Sequence, residues 1–591
     1  MDFRSFSVFG FFVKKVYMKK SFLTGLFGYV LLCVVFVLLL CFLYKEVPSD
    51  DTSVIIWHLV ADAMFFALPV LFWKKKAIVF PWVLLVMFYM LSIVWYARTY
   101  ATLMPLSSYL MVYNLDGLGA SVLHSIHPAD VKFLLPPLIY FLFYGVAAHK
   151  GWLVSGSARK IAHRAVCPVL AWVIVVISFP YWPNKRPFYK QPLYVFSIVN
   201  TSAIKQYGVL NYWVYQIKSL KGVSSEESCY TRSFVEHLPG RHYVLPDSLS
   251  DRKPNLILIL VESLQSWPIG LKVEDVEVTP CLNRLLADST TVYFPNMVPQ
   301  VKDGRSGDAQ LLINTGLLPL RTGAVSSLYA DNVFPSLASA LRNRGYRAAE
   351  SFICDCRTFW NQGATTLAYG FDCLHDDMGG TEGRSKMDEH LFAGALPRLR
   401  KMECPFYAQL VTLSMHEPYV EPVAIGTPLD SVACADPEVR NYLIAVNYTD
   451  SCIATFLENL KEAGLYDNSL IVITGDHEQM HFSHYEGRDV IQPEDYFIPF
   501  LVVNAPLSSS HTGKVVGQMD IYPSLLHLTG CGDYGWKGLG ESLFADEVSG
   551  YATFNLGMEA GDREVPDSVK RYRQDCWRVS DLLIRMNYFK E

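Results

Sequence analysis

The sequence predicts a two-part protein: an N-terminal region of five transmembrane helices, then an α/β domain built on a mainly parallel sheet. Three observations point there. Long apolar runs crowd the first 182 residues. Two short aliphatic runs, Asn255–Val261 and residues 469–474, stop abruptly at polar groups; such Ile- and Val-rich runs suit buried parallel strands. From Arg252 onward, strand and helix patterns alternate.

The expected spans are residues 21–44, 53–73, 77–96, 131–148 and 164–181, most near the roughly 20 residues a spanning helix needs. The fourth is interrupted by Pro136 and Pro137. Lys14, Lys15, Lys19 and Lys20 precede the first span, and Lys74, Lys75 and Lys76 separate the second from the third. Lys150, Arg159, Lys160 and Arg164 separate the fourth from the fifth, whereas the alternate connections are poor in Lys and Arg. The positive-inside rule then puts the amino terminus in the cytoplasm and everything after Trp182 outside. Three regions result: 1–182 in the membrane, 183–250 as an aromatic and basic juxtamembrane linker, and 251–591 as an extracytoplasmic domain. A net charge of −5 argues against a nucleic-acid partner. Three of the 13 cysteines fall in spans; the other ten lie where disulfides can form, with no pairing legible.

In the outer domain, helices are expected at 280–287, 308–315, 334–343 and 437–462. Strands are expected at 347–353, 406–414, 469–474 and 497–503. Parallel strands of this kind leave their ligand crevice beyond the carboxyl ends. Glu262 ends the first aliphatic run, and Asp476 and His477 end a later one. Between them, Asp303-Gly-Arg-Ser-Gly-Asp308 reads as a turn that sets Ser306 in the first turn of a helix. Glu262, Ser306, Asp476 and His477 can hold one divalent cation, with the serine oxygen as both ligand and nucleophile. The donor set suits Mn²⁺, Mg²⁺ or Zn²⁺, and ligand type does not choose among them. Taken alone, Ser306 is as readily a helix cap as a nucleophile; beside the metal ligands, the nucleophile is the better reading. Arg305 adds a cation there. His416, just past a strand, is a candidate to bind a phosphate oxygen or protonate a leaving group. His481 and His484 follow as loop residues within reach of metal or substrate.

The ordered set Val261-Glu-Ser-Leu-Gln-Ser266, Thr279-Pro-Cys-Leu-Asn283, Gly304-Arg-Ser-Gly-Asp308, Phe359-Trp-Asn361, Ser414-Met-His-Glu-Pro-Tyr419 and Gly475-Asp-His477 resembles the lipoteichoic acid synthase family. Gln518-Met-Asp-Ile-Tyr-Pro-Ser524 is similar to a late segment of the alkaline phosphatase superfamily, whose sulfatase-like branch contains that family. The resemblance implies a sulfatase-like α/β catalytic domain on the outer face of a bacterial cytoplasmic membrane. It implies transfer of glycerol-phosphate from phosphatidylglycerol, through a covalent phospho-enzyme, to a glycan or lipid acceptor. Glu262, Asp476 and His477 match metal ligands, and Ser306 matches the family's threonine nucleophile. His416 and Trp360 match substrate-site positions. Two departures fall in the head-group region: Gln362 stands where the family has arginine, and Ile353-Cys-Asp355 stands where His-Gly-Asn is expected.

Phosphoethanolamine transfer is the alternative within the superfamily. A phosphodiesterase or sulfatase-like hydrolase ranks third, because Ser306-Gly-Asp-Ala-Gln310 lacks the pattern that sulfatases convert to formylglycine. A catalytically dead membrane scaffold ranks last, since no core ligand is missing.

Overall fold

The computed structural model describes residues 28–47, 54–69, 78–100, 103–110, 125–149, 169–178, 200–219, 222–380, 386–419, 422–424, 426–431, 436–479, 496–554 and 559–590. The chain divides into two compact units, Met1–Leu106 with Gly119–Leu220, and Ser107–Leu118 with Lys221–Glu591.

In the first unit, three helices are long and apolar enough to cross a membrane: Gly28–Glu46, Val79–Arg98 and Pro128–Val146. Ile56–Ala67 and Val169–Ser178 are apolar but shorter over the described residues. Each falls within or overlaps one of the five expected spans, but among the described residues only three reach spanning length. Pro136 and Pro137 do not break the fourth, because they sit where the 3-10 helix Pro128–Leu134 passes into the first turn of the α-helix Leu135–His149, a position where proline is tolerated. The helix Asn200–Ser219 is broken at Gly208, where φ is 82°. Asp62 accepts the freed N–H groups of Val209 and Leu210 at 2.6 and 3.2 Å.

The second unit is built on one eight-stranded sheet. In chain order its strands are β1 (Asn255–Val261), β2 (Val292–Val298), β3 (Ala348–Ile353), β4 (Cys373–His375), β5 (Phe406–Val411), β6 (Ser469–Gly475), β7 (Ile498–Val503) and β8 (Val516–Gly517). Their spatial order is β8-β2-β7-β6-β1-β5-β3-β4. Only β7 runs against its neighbours β2 and β6; the other pairings are parallel.

All seven residues of β1 are buried, as a strand covered on both faces requires. Leu256, Leu258 and Leu260 enter one core, with side chains of the helices Ser306–Thr315, Leu337–Arg344, Ile521–Leu528 and Asp567–Met586. Ile257, Ile259 and Val261 enter the other, with Pro280–Leu286, Met387–Leu399 and Pro437–Glu462. The strict alternation along β1 is the period-two geometry of a strand between two helical layers.

The expected helix 437–462 has those limits, and the four expected strands start or end within three residues of β3, β5, β6 and β7. Strand β2 is not expected from the sequence because Pro295 lies inside it, and its register with β7 shifts between Phe294 and Met297. Among the described cysteines, Cys281, Cys354, Cys452, Cys531 and Cys576 are buried free thiols. Small apolar side chains fill a core as well as any, which is their use here.

Candidate active site

Strand register brings the first two functional groups together. Val261 of β1 is paired with Gly475 of β6, so Glu262 and Asp476 leave the sheet side by side. Gly475 is required for this approach, since a Cβ there would lie 2.1 Å from the Leu264 carbonyl oxygen. Ser263 takes a left-handed φ of 53° and turns its N–H onto Asp476 Oδ1 at 2.8 Å. Its hydroxyl donates to Glu262 Oε1 at 2.9 Å. The His477 N–H donates to Asp476 Oδ1 at 2.7 Å, and Gln518 Nε2 donates to the Asp476 carbonyl at 2.8 Å.

A third segment supplies the serine. Asp308 Oδ2 accepts the N–H groups of Lys302 and Gly304, both at 2.9 Å, and so folds the loop back over the start of its own helix. A Cβ on Gly304 would lie 2.2 Å from Asp308 Oδ1, which explains that glycine. Burial pushes the Asp308 carboxyl up to about 7. Arg305 then takes φ 44° and ψ −120°, and the helix begins at Ser306. Ser306 Oγ donates to Glu262 Oε2 at 3.2 Å and meets His477 Nε2 at 3.3 Å.

Glu262, Asp476 and His477 each offer a ligand atom, and the three atoms lie within 4.8 Å of one another. The chemistry of this set fits a divalent cation. Two buried carboxylates face each other with one oxygen, Asp476 Oδ2, lacking any hydrogen-bond partner among the described residues. An uncompensated buried carboxylate pair is strongly unfavourable without a cation or a proton. Burial first, and then the charge of Asp476, pushes the Glu262 carboxyl well above its usual range. Burial likewise lowers the His477 imidazole, favouring the neutral ring that a metal requires. The His477 Nδ1 lies 2.9 Å from the Glu478 carbonyl oxygen, a contact that leaves Nε2 facing Ser306.

Other expected site residues divide. The buried Arg305 guanidinium is bound to Glu478 Oε1 at 3.0 Å and to the Glu478 carbonyl at 3.3 Å, beside the Nδ1 edge of His477. It thus acts on the opposite edge of the imidazole from Ser306. Trp360 follows β3 and His416 follows β5, so both leave the same carboxyl edge of the sheet as Glu262. Trp360 and Asn361 both have left-handed φ, and Asn361 Nδ2 secures the turn by donating to the Ser326 carbonyl at 2.9 Å. His416 Nδ1 lies 2.8 Å from the Glu417 carbonyl. Burial raises the Asp355 carboxyl, opposed by the charge of nearby His416. Gln362 is turned inward. Its Oε1 accepts from Gln310 Nε2 at 3.2 Å, inside an amide network that runs through Gln409 to Asn314. His481 and His484 lie outside the described residues.

Sequence reasoning missed Ser263, Asp308 and Glu478. Asp308 carried a legible signal, an acid in the first turn of a helix behind a glycine loop. Glu478 carried only its adjacency to Asp476 and His477.

Residues 254–531 match the Sulfatase family model. Lipoteichoic acid synthase 2 of Bacillus subtilis is 27% identical over 479 residues, which are 77% of this chain and 72% of the relative. Lipoteichoic acid synthase of Staphylococcus aureus is 27% identical over 518 residues, 82% of this chain and 78% of the relative. Among solved structures, the lipoteichoic acid synthase LtaP of Listeria monocytogenes aligns at 24% identity with a TM-score of 0.47, covering 58% of this chain and 96% of that one. The second unit thus carries a sulfatase-like domain, and over most of its length the chain is similar to the lipoteichoic acid synthases.

Proposed function

We propose that this protein is a multi-pass membrane phosphotransferase with an extracytoplasmic catalytic domain. It moves phosphoglycerol from a phospholipid such as phosphatidylglycerol to an outer glycan or lipid acceptor, through a phosphoserine at Ser306. The relatives' names support the transferred group. One observation supports the mechanism above all: Ser306 Oγ, at a helix N-terminus, hydrogen-bonded to Glu262 and against His477.

Glu262, Ser306, Asp476 and His477 would hold one divalent cation, which when bound supplies Lewis acidity to the serine hydroxyl and offsets phosphoryl charge. Ser306 Oγ forms a bond to phosphorus while the bond to diacylglycerol oxygen breaks. The nearest acceptor for the serine proton is Glu262 Oε2. His416 is suited to return a proton to the departing diacylglycerol alkoxide. The positive end of the Ser306–Thr315 helix dipole favours the negative charge that builds on the phosphoryl oxygens. Arg305 holds Glu478 and the rear of His477, so the imidazole keeps Nε2 toward the serine. An acceptor hydroxyl then attacks phosphorus and releases Ser306.

Phosphoethanolamine transfer is the second reading. It is favoured by Gln362, whose side-chain oxygen accepts from Gln310 and which brings no cation to the head group.

Mass spectrometry of the full-length protein, incubated with phosphatidylglycerol or phosphatidylethanolamine and Mn²⁺, tests both. A glycerol-phosphate adduct on Ser306, absent from Ser306→Ala, is the expected result. An ethanolamine-phosphate adduct alone would select the second reading, and no adduct from either lipid would remove Ser306 as nucleophile.

A further inference from the structure

Beside the nucleophile lies a hydroxyl that none of the catalytic groups uses. Ser326, in the short helix Val325–Leu328, is only 5% exposed. Its Oγ is buried and has no hydrogen-bond partner among the described residues. Buried hydroxyls are nearly always paired, so one left unpaired calls for an explanation. Its surroundings supply one. A Cβ built on Gly307 would lie 3.7 Å from Ser326 Oγ and would meet no other atom within 4 Å. The hydroxyl therefore lies against the residue that follows Ser306, where the helix end is itself partly exposed. The helix Val325–Leu328 packs on both the Ser306–Thr315 helix and the Phe359–Asn361 turn. Its Ser326 carbonyl is gripped by Asn361, next to Trp360. Ser326 thus stands between the nucleophile and the two strained left-handed residues of the Trp360 turn. Strain of that kind is tolerated where surrounding contacts fix a ligand-binding shape.

We infer that Ser326 is a specificity-determining residue whose hydroxyl pairs with a hydroxyl of the head group being transferred. The inference rests on the phosphoglycerol-transfer reading and deepens it. A serine hydroxyl both donates and accepts, so it matches the alcohol of a polyol. It offers nothing particular to an alkyl group and no charge to an ammonium. With the Gln362 oxygen turned inward onto Gln310, Ser326 offers an unpaired hydroxyl next to Gly307 through which a polyol can be distinguished from a bare alkyl phosphate.

The test uses full-length protein in vesicles, with phosphatidylglycerol against phosphatidylethanol, whose head group has no hydroxyl. The readout is the ratio of kcat/KM for the two donors in phospho-Ser306 formation. Ser326→Ala is expected to lower the preference for phosphatidylglycerol roughly 2- to 10-fold, the effect of one hydrogen bond, mainly through KM. The ligand-free variant should melt no lower than the wild type, because no internal hydrogen bond is removed. An unchanged ratio would overturn the inference, as would equal losses on both donors or a clear fall in melting temperature, each marking a structural role. Absence of any adduct in the wild type would instead overturn the transfer reading, and this one with it.

Discussion

Glu262 concentrates the problem that the site poses at the scale of single residues. Its carboxylate is buried against Asp476, and among the described residues Ser263 and Ser306 donate hydrogen bonds to it. Two negative charges without water are tolerable when a cation sits between them, and become a liability when it is removed. Glu262→Gln keeps the shape and removes one charge. The variant should lose bound metal, measured by elemental analysis, and more than about 100-fold of transfer activity. Its metal-free form should melt at or above the wild-type temperature, because carboxylate repulsion is relieved. A variant that keeps its metal, or that unfolds, would show that Glu262 holds the fold rather than the ion. The positions of Glu262, Asp476, His477 and Ser306 were legible because they depend on strand and helix ends, which hydrophobic patterning marks. The direction of Arg305 toward Glu478, and of Gln362 toward Gln310, was not legible. Both follow from partners 173 and 52 residues away in the chain.

Among the elements, those that periodicity describes were found and those that tertiary contacts impose were not. Pro437–Glu462 has a proline at its start, an Asp436 cap and an unbroken apolar stripe, and its limits match the expectation. Met387–Leu399 carries Pro397 near its end, and Gln362–Ala368 is too short to show a period, so neither was expected. The long helix also stabilises its neighbour. Asp450 Oδ2 and Oδ1 accept the N–H groups of Cys281 and Leu282 at 2.8 and 2.9 Å, capping Pro280–Leu286 from across the core. Burial pushes the Asp450 carboxyl from 3.8 up to about 6 in spite of those bonds. The folded state therefore holds the Asp450 proton more tightly than the unfolded chain does. Its contribution to stability is complete below about pH 4 and is lost as pH rises through about 6. Asp450→Asn does not titrate, so the stability of the wild type relative to it should be greatest near pH 4. It should fall by at most about 3 kcal/mol by pH 7. Denaturant unfolding at pH 4 and pH 7 reads this difference, and a gap that widens with pH would reverse the sign assigned to Asp450.

For the whole molecule, the distribution of charge sets which side of the membrane the sheet occupies, since orientation leaves no trace in the fold of either unit. The basic segments 14–20, 74–76 and 150–164 alternate with connections poor in Lys and Arg, and that alternation needs five crossings to put the outer domain outside. Three described helices reach spanning length on their own, so the crossings of the second and fifth segments decide the topology. Were either to lie in the interface, the parity would change and the site would face the cytoplasm, away from an outer acceptor. The free thiols allow a direct reading. Among the described residues, Cys229, Cys356 and Cys404 are exposed in the second unit, whereas Cys281, Cys452 and Cys576 are buried and should stay silent in the folded protein. A membrane-impermeant maleimide applied to intact cells should label Cys229, Cys356 and Cys404, and serine at all three positions should remove labelling at those sites. Labelling of these three cysteines only after lysis would place the catalytic domain inside and exclude transfer to an outer acceptor, whatever chemistry Ser306 performs.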